Sequence, residues 1–460
     1  MTRSPTLRLT LLALALGLTA PALAGGVSKH LQGKLKTYLK ECGELPPEAD
    51  SDEKCCKFAG QTIAEIGALD NDDAAELLVK VGSGWSAKSA AAEVHIAESA
   101  MAAIGAMKSP DAHKWLGEAL GKKKGPVVTF IARAIHPIAA EDPIQFGLHK
   151  ALAKKRQTEP ALVEIARALA ASKDKRAVKP LIEAYGVWQD KGGVPLEEIR
   201  EALAALTGKR FYRVKDWQEF WDPREATFNP KTAPKAPPRG STVEREARRK
   251  FGSKPPELFG EEVLSKRVVI ILDVSSSMAA KDAGGVKGKD FYDGPTVEPD
   301  DRGYGTIPES RMRLERAKAQ LRGLVNAWDA STRFNLIKFS TVADAWQFKK
   351  IVPANGSNKN DGLRWINNLN FGGVTQIYEA ILLAFKTRDA DTFYLISDGT
   401  PTDQGGKPLS PGKKYEMLTK VKQLNKLRRI KIHTIGLKGA NANFLRELSK
   451  MTGGNFRQVG

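Results

Sequence analysis

The 460-residue chain has few of the side chains that commonly carry catalysis or bind soft metal ions. It contains three cysteines and six histidines, and His433 is the single histidine of its second half. The sequence also lacks a Gly-x-Ser-x-Gly nucleophile motif, a Walker phosphate loop and a His-Glu-x-x-His zinc motif. These absences argue against a hydrolase, a nucleotide-driven enzyme and a zinc peptidase, so we expect a protein that is not an enzyme.

Long apolar runs are equally scarce, and the one present lies at the N-terminus. Residues 9–18 are mostly apolar, Arg3 and Arg8 precede them, and residues 22–24 form a small-x-small motif. This order is typical of a secretory signal peptide cleaved before Gly25, whereas a membrane anchor needs a run of about 20 apolar residues. We therefore predict a signal peptide over residues 1–24, an exported protein that is periplasmic or secreted, and no transmembrane segment.

The three cysteines, Cys42, Cys55 and Cys56, lie near the predicted mature N-terminus. In an oxidising compartment Cys42 can form a disulfide with either neighbour across a short loop, which leaves one free thiol. A metal site is the weaker interpretation, because no histidine or further cysteine stands nearby at a spacing typical of metal ligands. The pattern does not choose between the two disulfides.

Acidic residues are outnumbered by basic ones, 53 to 72, which gives a formal net charge of +19. In an exported protein this excess favours anionic partners such as acidic proteins, acidic surface polysaccharides or lipid headgroups. A nucleic-acid ligand is not predicted, because the sequence shows no recognition module and export removes the usual target. The excess of basic residues is equally consistent with lysine and arginine side chains that are simply exposed to solvent on helix surfaces.

Strand-forming patterns are nearly absent from residues 54–208, which are rich in alanine and leucine at helical spacing. Helix-turn-helix segments recur at intervals of roughly 31 to 38 residues, and residues 172–182 are the clearest copy. The region resembles short HEAT-type repeats, which implies an all-α, HEAT-like solenoid with an extended groove over residues 25–221. An irregular helical bundle is the alternative.

An aromatic segment and a proline-rich segment follow the helical region. Residues 211–221 include Trp217, Phe220 and Trp221. We interpret them as a cap on the end of the solenoid rather than as an aromatic ligand box. Residues 222–256 carry many prolines and basic residues, which is typical of a semi-rigid linker.

From residue 257 onward, strand-like and helix-like segments alternate up to the C-terminus. The first strand-like segment, residues 268–272, is a continuous run of valine, isoleucine and leucine. Such runs indicate strands that are buried on both faces. We therefore predict a doubly wound, Rossmann-like α/β domain with a mainly parallel sheet over residues 257–460.

Oxygen-bearing side chains occur where strands of this sheet are expected to end. Asp273, Ser275 and Ser277 follow the first strand as Asp-x-Ser-x-Ser, Thr375 opens a helix, and Asp398 follows a later strand. Because ligands of open α/β sheets bind at the carboxyl ends of the strands, these five side chains are candidates for one site. Three hydroxyls and two carboxylates suit a hard divalent cation, Mg²⁺ above all, with Mn²⁺ or Ca²⁺ as alternatives, and they do not suit zinc.

The three segments resemble the metal-ion-dependent adhesion site of von Willebrand factor A (VWA) domains, and the resemblance covers about residues 256–460. It implies that Ser275, Ser277 and Thr375 contact the ion, while Asp273 and Asp398 bind it directly or through water. A cluster of helix-capping side chains is the alternative. The sequence departs from the family by an insertion, residues 279–310, which is rich in glycine and aspartate. We interpret it as a surface loop, with a specificity rim, a calcium loop or a gate as alternatives.

These features predict an exported, non-enzymatic adhesion protein that captures an acidic partner through the bound cation. The natural partner group is a protein carboxylate, which would complete the coordination of the ion. A catalytic triad around Ser275 lacks a base, since His433 lies within a predicted strand. Two alternatives remain: a structural scaffold whose helical repeats bind the partner, and a regulatory subunit of an envelope complex.

Overall fold

The computed structural model describes residues 27–237, 255–280 and 312–459. The predicted signal peptide, nearly all of the predicted insertion and the second half of the predicted linker lie outside these residues. No helix in the described ranges is long and apolar enough to cross a bilayer.

The first part of the chain is helical. Its helices are α1 (Lys29–Glu44), α2 (Lys54–Gly67), α3 (Asp72–Gly84), α4 (Ala90–Gly105), α5 (Pro110–Lys122), α6 (Pro126–Ala134), α7 (Asp142–Leu152), α8 (Glu159–Ser172), α9 (Val178–Gln189), α10 (Gly193–Thr207) and α11 (Val214–Trp221).

Short polar turns separate these helices and let them pack against one another. The Ser109 hydroxyl caps α5 by accepting backbone N–H groups of its first turn, where Pro110 starts the helix. Helices α5 and α7 make close backbone contact at two glycines, since a Cβ on Gly147 would lie 2.3 Å from the Gly117 carbonyl oxygen. One hydrophobic core runs from α1 to α11. The all-α prediction is confirmed, whereas the HEAT-like solenoid stays a prediction.

Helix α11 inserts its aromatic side chains into the end of this core. Trp217 and Trp221 are fully buried. The Trp217 ring lies 6.3 Å from that of Tyr185 and the Trp221 ring lies 5.6 Å from that of Phe228, both edge to face. Phe228 belongs to the predicted linker. The described part of the linker is therefore packed on the helices, a contact that its proline-rich composition does not indicate.

The second part of the chain is a sheet flanked by helices, which confirms the predicted α/β class. Its strands are β1 (Glu257–Leu258), β2 (Glu261–Glu262), β3 (Arg267–Asp273), β4 (Arg333–Phe339), β5 (Ala343–Ala345), β6 (Val352–Pro353), β7 (Thr392–Ser397), β8 (Lys431–Gly436) and β9 (Phe456–Gln458). Its helices are α12 (Arg313–Ala327), α13 (Gly356–Asn367), α14 (Ile377–Lys386), α15 (Pro411–Asn425) and α16 (Ala442–Thr452).

The strand order of the main sheet is β5–β4–β3–β7–β8–β9. Strands β4, β3, β7, β8 and β9 are parallel, while the short β5 and β6 pair antiparallel with β4. Along β3, Val268, Ile270 and Leu272 join a core that includes α12 and α13, and Val269 and Ile271 join one that includes α14, α15 and α16. Helices thus cover both faces, which explains the unbroken apolar run of this strand.

The helical domain is docked where the parallel strands begin, an end of the sheet that we call the amino edge. Arg167 of α8 lies within this contact and donates to both Glu164 and Glu198, at 2.9 Å each. Three carboxylates of α8 and α10 pair with cations at the starts of β3 and β8, namely Glu159 with Arg267 (2.7 Å), Glu164 with Arg429 (2.5 Å) and Glu198 with Lys431.

The C-terminal end of α15 makes a second contact between the domains, against α4. Lys426 Nζ lies 2.7 Å from one carboxylate oxygen of Glu93, and Gln423 donates to the other at 2.8 Å. Leu427 packs against the hydrophobic core of the helical domain. Ion pairs and apolar packing therefore hold the helical domain at the amino edge, away from the carboxyl ends of the strands.

Candidate metal centre

The three oxygen-bearing segments meet at the carboxyl ends of the parallel strands, which we call the carboxyl edge. Strand β3 ends at Asp273 and its neighbour β7 ends at Ser397. From β3 the chain continues to β4 on one side, whereas from β7 it continues to β8 on the other. Such a switch in strand order opens a crevice between the two strand ends in doubly wound folds. The Ser276 backbone N–H donates to the Gly373 carbonyl at 3.0 Å, which ties two segments together.

Asp273 is fully buried at this edge. One carboxylate oxygen accepts the backbone N–H of Ser275 at 2.8 Å, and the other accepts the Ser397 hydroxyl at 2.6 Å. Burial raises the pKa of Asp273 to about 7, and the nearby charge of Asp398 acts in the same direction, although the hydrogen bonds oppose it. Within the described residues no lysine or arginine forms an ion pair with this carboxylate.

Ser275, Ser277 and Asp398 form a chain of hydrogen bonds next to Asp273. The two serine hydroxyl oxygens are 3.0 Å apart, and the Ser277 hydroxyl donates to Oδ1 of Asp398 at 2.7 Å. Ser275 and Asp398 are buried, whereas Ser277 is exposed. The Ser277 hydroxyl therefore links Ser275 to Asp398, and it leaves the group accessible from solvent.

Thr375 reaches the same group from the segment that precedes α14. Its hydroxyl lies so close to Gly399 that a Cβ on this glycine would be 2.8 Å from it, and Gly399 directly follows Asp398. The Thr375 backbone N–H donates to the Thr402 hydroxyl at 3.0 Å, which holds the segment in place. All five residues predicted from the sequence thus lie together at the carboxyl edge.

Arg313, the first residue of α12, adds a positive charge to this group. Its guanidinium donates to Oδ2 of Asp398 at 2.6 Å, and the Arg313 side chain is only 12% exposed. Arg313 was not predicted from the sequence, because no pattern connects it with a residue 85 positions away. Ser397 and Thr402 were not predicted to have a role either, although both belong to the turn that carries Asp398.

The donor set fits a hard divalent cation. Hydroxyl and carboxylate oxygens are the ligands that Mg²⁺, Mn²⁺ and Ca²⁺ prefer, and none of the five residues is a cysteine or histidine, which soft or borderline metals favour. The exposed hydroxyl of Ser277 leaves one side of the group open. A cation bound here would meet solvent or a partner on that side. The identity of the ligands stays a prediction.

Comparisons with known proteins identify relatives of part of the chain. No protein-family model matches it. The chain is 28% identical over 172 residues to von Willebrand factor A domain-containing protein 3A of Homo sapiens and 30% identical over 128 residues to protein 3B. These matches cover 33% and 27% of this chain but only 14% and 9% of the human proteins. The chain therefore spans a small fraction of these relatives.

Solved structures are similar to the chain at lower identity. A von Willebrand factor type A protein from Catenulispora acidiphila is 14% identical, with a TM-score of 0.32, and the match covers 43% of this chain and 40% of that one. The PilB minor pilin from Streptococcus sanguinis is 18% identical, with a TM-score of 0.28, and covers 44% of this chain and 58% of its own. The adhesion-site ligands and the HEAT-like repeats stay predictions. The sequence matches to the human proteins support the resemblance of the C-terminal part of the chain to von Willebrand factor A domains.

Proposed function

We propose that this protein is an exported, non-enzymatic binding protein that captures an acidic partner through a divalent cation at the carboxyl edge. The observation that carries the proposal is the hydrogen-bonded group formed by Asp273, Ser275, Ser277 and Asp398, which concentrates oxygen donors around two carboxylates. The similarity to VWA domain-containing proteins supports protein–protein interaction at a general level. The net charge of +19 favours an anionic partner.

The charges of the site indicate which partner group is favoured. Asp273 and Asp398 carry the two carboxylates of the set, and Arg313 already neutralises part of the negative charge of Asp398. A bound divalent cation would supply an electrophilic coordination position for an additional oxygen ligand. A carboxylate of a partner protein suits this position, because it adds both an oxygen donor and a negative charge. Ser277, which is exposed, lies on the side from which the partner would approach.

The test is an affinity capture with the full chain as bait and envelope extract of the source organism as prey, run with Mg²⁺ and again with EDTA. We expect one or more proteins to be retained with Mg²⁺ and released by EDTA. Retention that is equal in EDTA would contradict the proposal and would favour the scaffold alternative, in which the helical repeats bind the partner. Circular dichroism in EDTA checks that removal of the ion leaves the fold intact.

Replacing Arg313 by alanine is expected to increase the affinity of the site for Mg²⁺ by at least about tenfold, or ~1.4 kcal/mol. The guanidinium contacts Asp398 directly, so it repels a divalent cation bound to that carboxylate and competes for its oxygen. Isothermal titration with Mg²⁺ or Mn²⁺ measures the change. Arg313→Lys keeps the charge and should remain nearer to the wild-type affinity.

Arg322→Ala is the matched control for this prediction. It removes an arginine side chain from the same helix, but this arginine donates a hydrogen bond to Asn367 at the protein surface. Its Mg²⁺ affinity should equal that of the wild type. A weaker affinity in Arg313→Ala would show that the guanidinium organises Asp398 for the ion instead of opposing it.

A further inference from the structure

The three cysteines form a cluster that has no part in the proposed function. Cys42 lies in the last turn of α1, and Cys55 and Cys56 lie in the first turn of α2. Their three sulfur atoms are all within 4.8 Å of one another. Cys42 and Cys56 are fully buried, and Cys55 is partly exposed. The cluster belongs to the helical domain, far along the sequence from the carboxyl-edge residues.

The packing of α1 on α2 brings the three cysteines together. Tyr38 and Phe58 are in contact, with ring centroids 5.4 Å apart. The Lys34 ammonium lies 2.8 Å from the Glu65 carboxylate on the same pair of helices. These contacts fix the register of the two helices, so Cys42 faces the first turn of α2 in the folded chain. The helix packing therefore places the three thiols side by side.

We infer that Cys42, Cys55 and Cys56 bind a soft d10 metal ion, Cu(I) or Zn²⁺, through three sulfurs. An ion that lies about 2.3 Å from each of three sulfurs needs those sulfurs to be about 4 Å apart. The observed limit of 4.8 Å requires only a small contraction to reach that spacing. A disulfide would use two of the sulfurs, whereas a metal ion would use all three.

A metal ion binds the thiolate form of cysteine, and a buried thiolate is stable only beside a positive charge. The bound ion itself would supply that charge in the cluster, so metal binding would release protons. Thiolate ligands select soft and borderline ions over Mg²⁺ or Ca²⁺. Cys55, which is partly exposed, gives the ion a route into the otherwise buried cluster.

The experiment uses the full chain and separates the metal site from the disulfide that the export prediction favours. In the first measurement, protein isolated without reductant is denatured and its free thiols are counted. In the second, the native chain is titrated with Cu(I) and, separately, with Zn²⁺ in the presence of competing chelators. We expect three titratable thiols, one ion bound per chain, and sulfur-to-metal charge-transfer absorbance. The two titrations identify which ion the cluster prefers. A single free thiol, as left by a Cys42–Cys55 or Cys42–Cys56 disulfide, would overturn the proposal.

Single substitutions locate the bound ion. Cys42→Ser, Cys55→Ser and Cys56→Ser should each lower the affinity by at least about a hundredfold, because loss of an outer-shell partner alone costs 10- to 100-fold. Glu48→Gln changes an exposed residue of the same loop and should bind the ion as the wild type does. If a serine variant fails to fold, native mass spectrometry of the unmodified chain still decides the matter. Absence of a bound ion after exposure to Cu(I) and to Zn²⁺ would exclude the site.

Discussion

Replacing Asp273 by alanine is expected to lower the affinity for Mg²⁺ by at least about a hundredfold, and to abolish Mg²⁺-dependent capture of the partner. Asp273 is one of the two carboxylates in the set, is fully buried, and is held in place by Ser275 and Ser397. Its removal takes away both a negative charge and the group that orients the Ser275 backbone. The remaining carboxylate, Asp398, is already paired with Arg313, and the neutral hydroxyls bind Mg²⁺ weakly in water.

Thermal unfolding with and without Mg²⁺ measures this loss directly. At an ion concentration a hundred times the dissociation constant, binding stabilises the wild type by ~2.7 kcal/mol, whereas a hundredfold weaker variant gains only ~0.4 kcal/mol. Asp344→Ala is the matched control, since it removes a carboxylate that is 60% exposed on β5. It should keep the full stabilisation by Mg²⁺. Equal stabilisation of Asp273→Ala and the wild type would rule out a role for this residue in ion binding.

Replacing Glu198 by glutamine is expected to lower the free energy of unfolding by about 3 kcal/mol at pH 7. Glu198 is buried at the amino edge, where it pairs with Lys431 of the α/β domain and with Arg167 of its own domain. The Lys431 side chain is only 7% exposed. Glutamine removes the charge that both cations share, so a buried ammonium is left without a neutralising partner. Urea-induced unfolding followed by fluorescence measures the change.

The pH dependence gives a second test of the same ion pairs. Burial alone would raise the pKa of Glu198, but the charges of Lys431 and Arg167 outweigh it and lower the pKa to about 2. Because the pKa is lower in the folded chain, Glu198 contributes stability above about pH 4.5, and this contribution is lost as the pH falls towards 2. The difference between Glu198→Gln and the wild type should therefore shrink below pH 4.5.

Glu118→Gln is the matched control for the interface. Glu118 pairs with Lys122 on the surface of α5, one helical turn away, and both side chains are exposed. Its substitution should leave the unfolding midpoint unchanged within the error of the measurement. If Glu198→Gln loses no more free energy of unfolding than this control, the ion pairs at the amino edge contribute no stability.

Local pattern was enough to predict the main elements of the fold. The apolar run at residues 268–272 became the central strand β3, and the later strand expected directly before Asp398 is β7. Helix α13 shows no clear apolar period in the sequence, because it is largely polar and only Gly362 and Ile366 are buried. The edge strands β5 and β6, with three and two residues, are too short to show a period.

The candidate site was predictable to the extent that strand ends determine it. Asp273 and Asp398 come directly after buried strands, and parallel neighbours necessarily bring their carboxyl ends together. Arg313 follows no strand, and its contact with Asp398 depends on where α12 starts after the insertion. The docking of the helical domain was not predictable either. Its ion pairs join residues that are close only once both domains have folded, such as Glu164 and Arg429, which are 265 positions apart.

The placement of the helical domain and the candidate site at opposite ends of the sheet has a mechanical consequence. Strand β3 begins at Arg267 in the domain interface and ends at Asp273, a distance of about 20 Å at the usual rise per residue. A partner that pulls on the carboxyl edge, while the helical domain is held, loads the sheet along its strands. The hydrogen bonds of β3 with β4 and β7 then share the force in shear. The domain should therefore resist tension along the strand axis better than a force across the strands, which opens the same bonds one at a time.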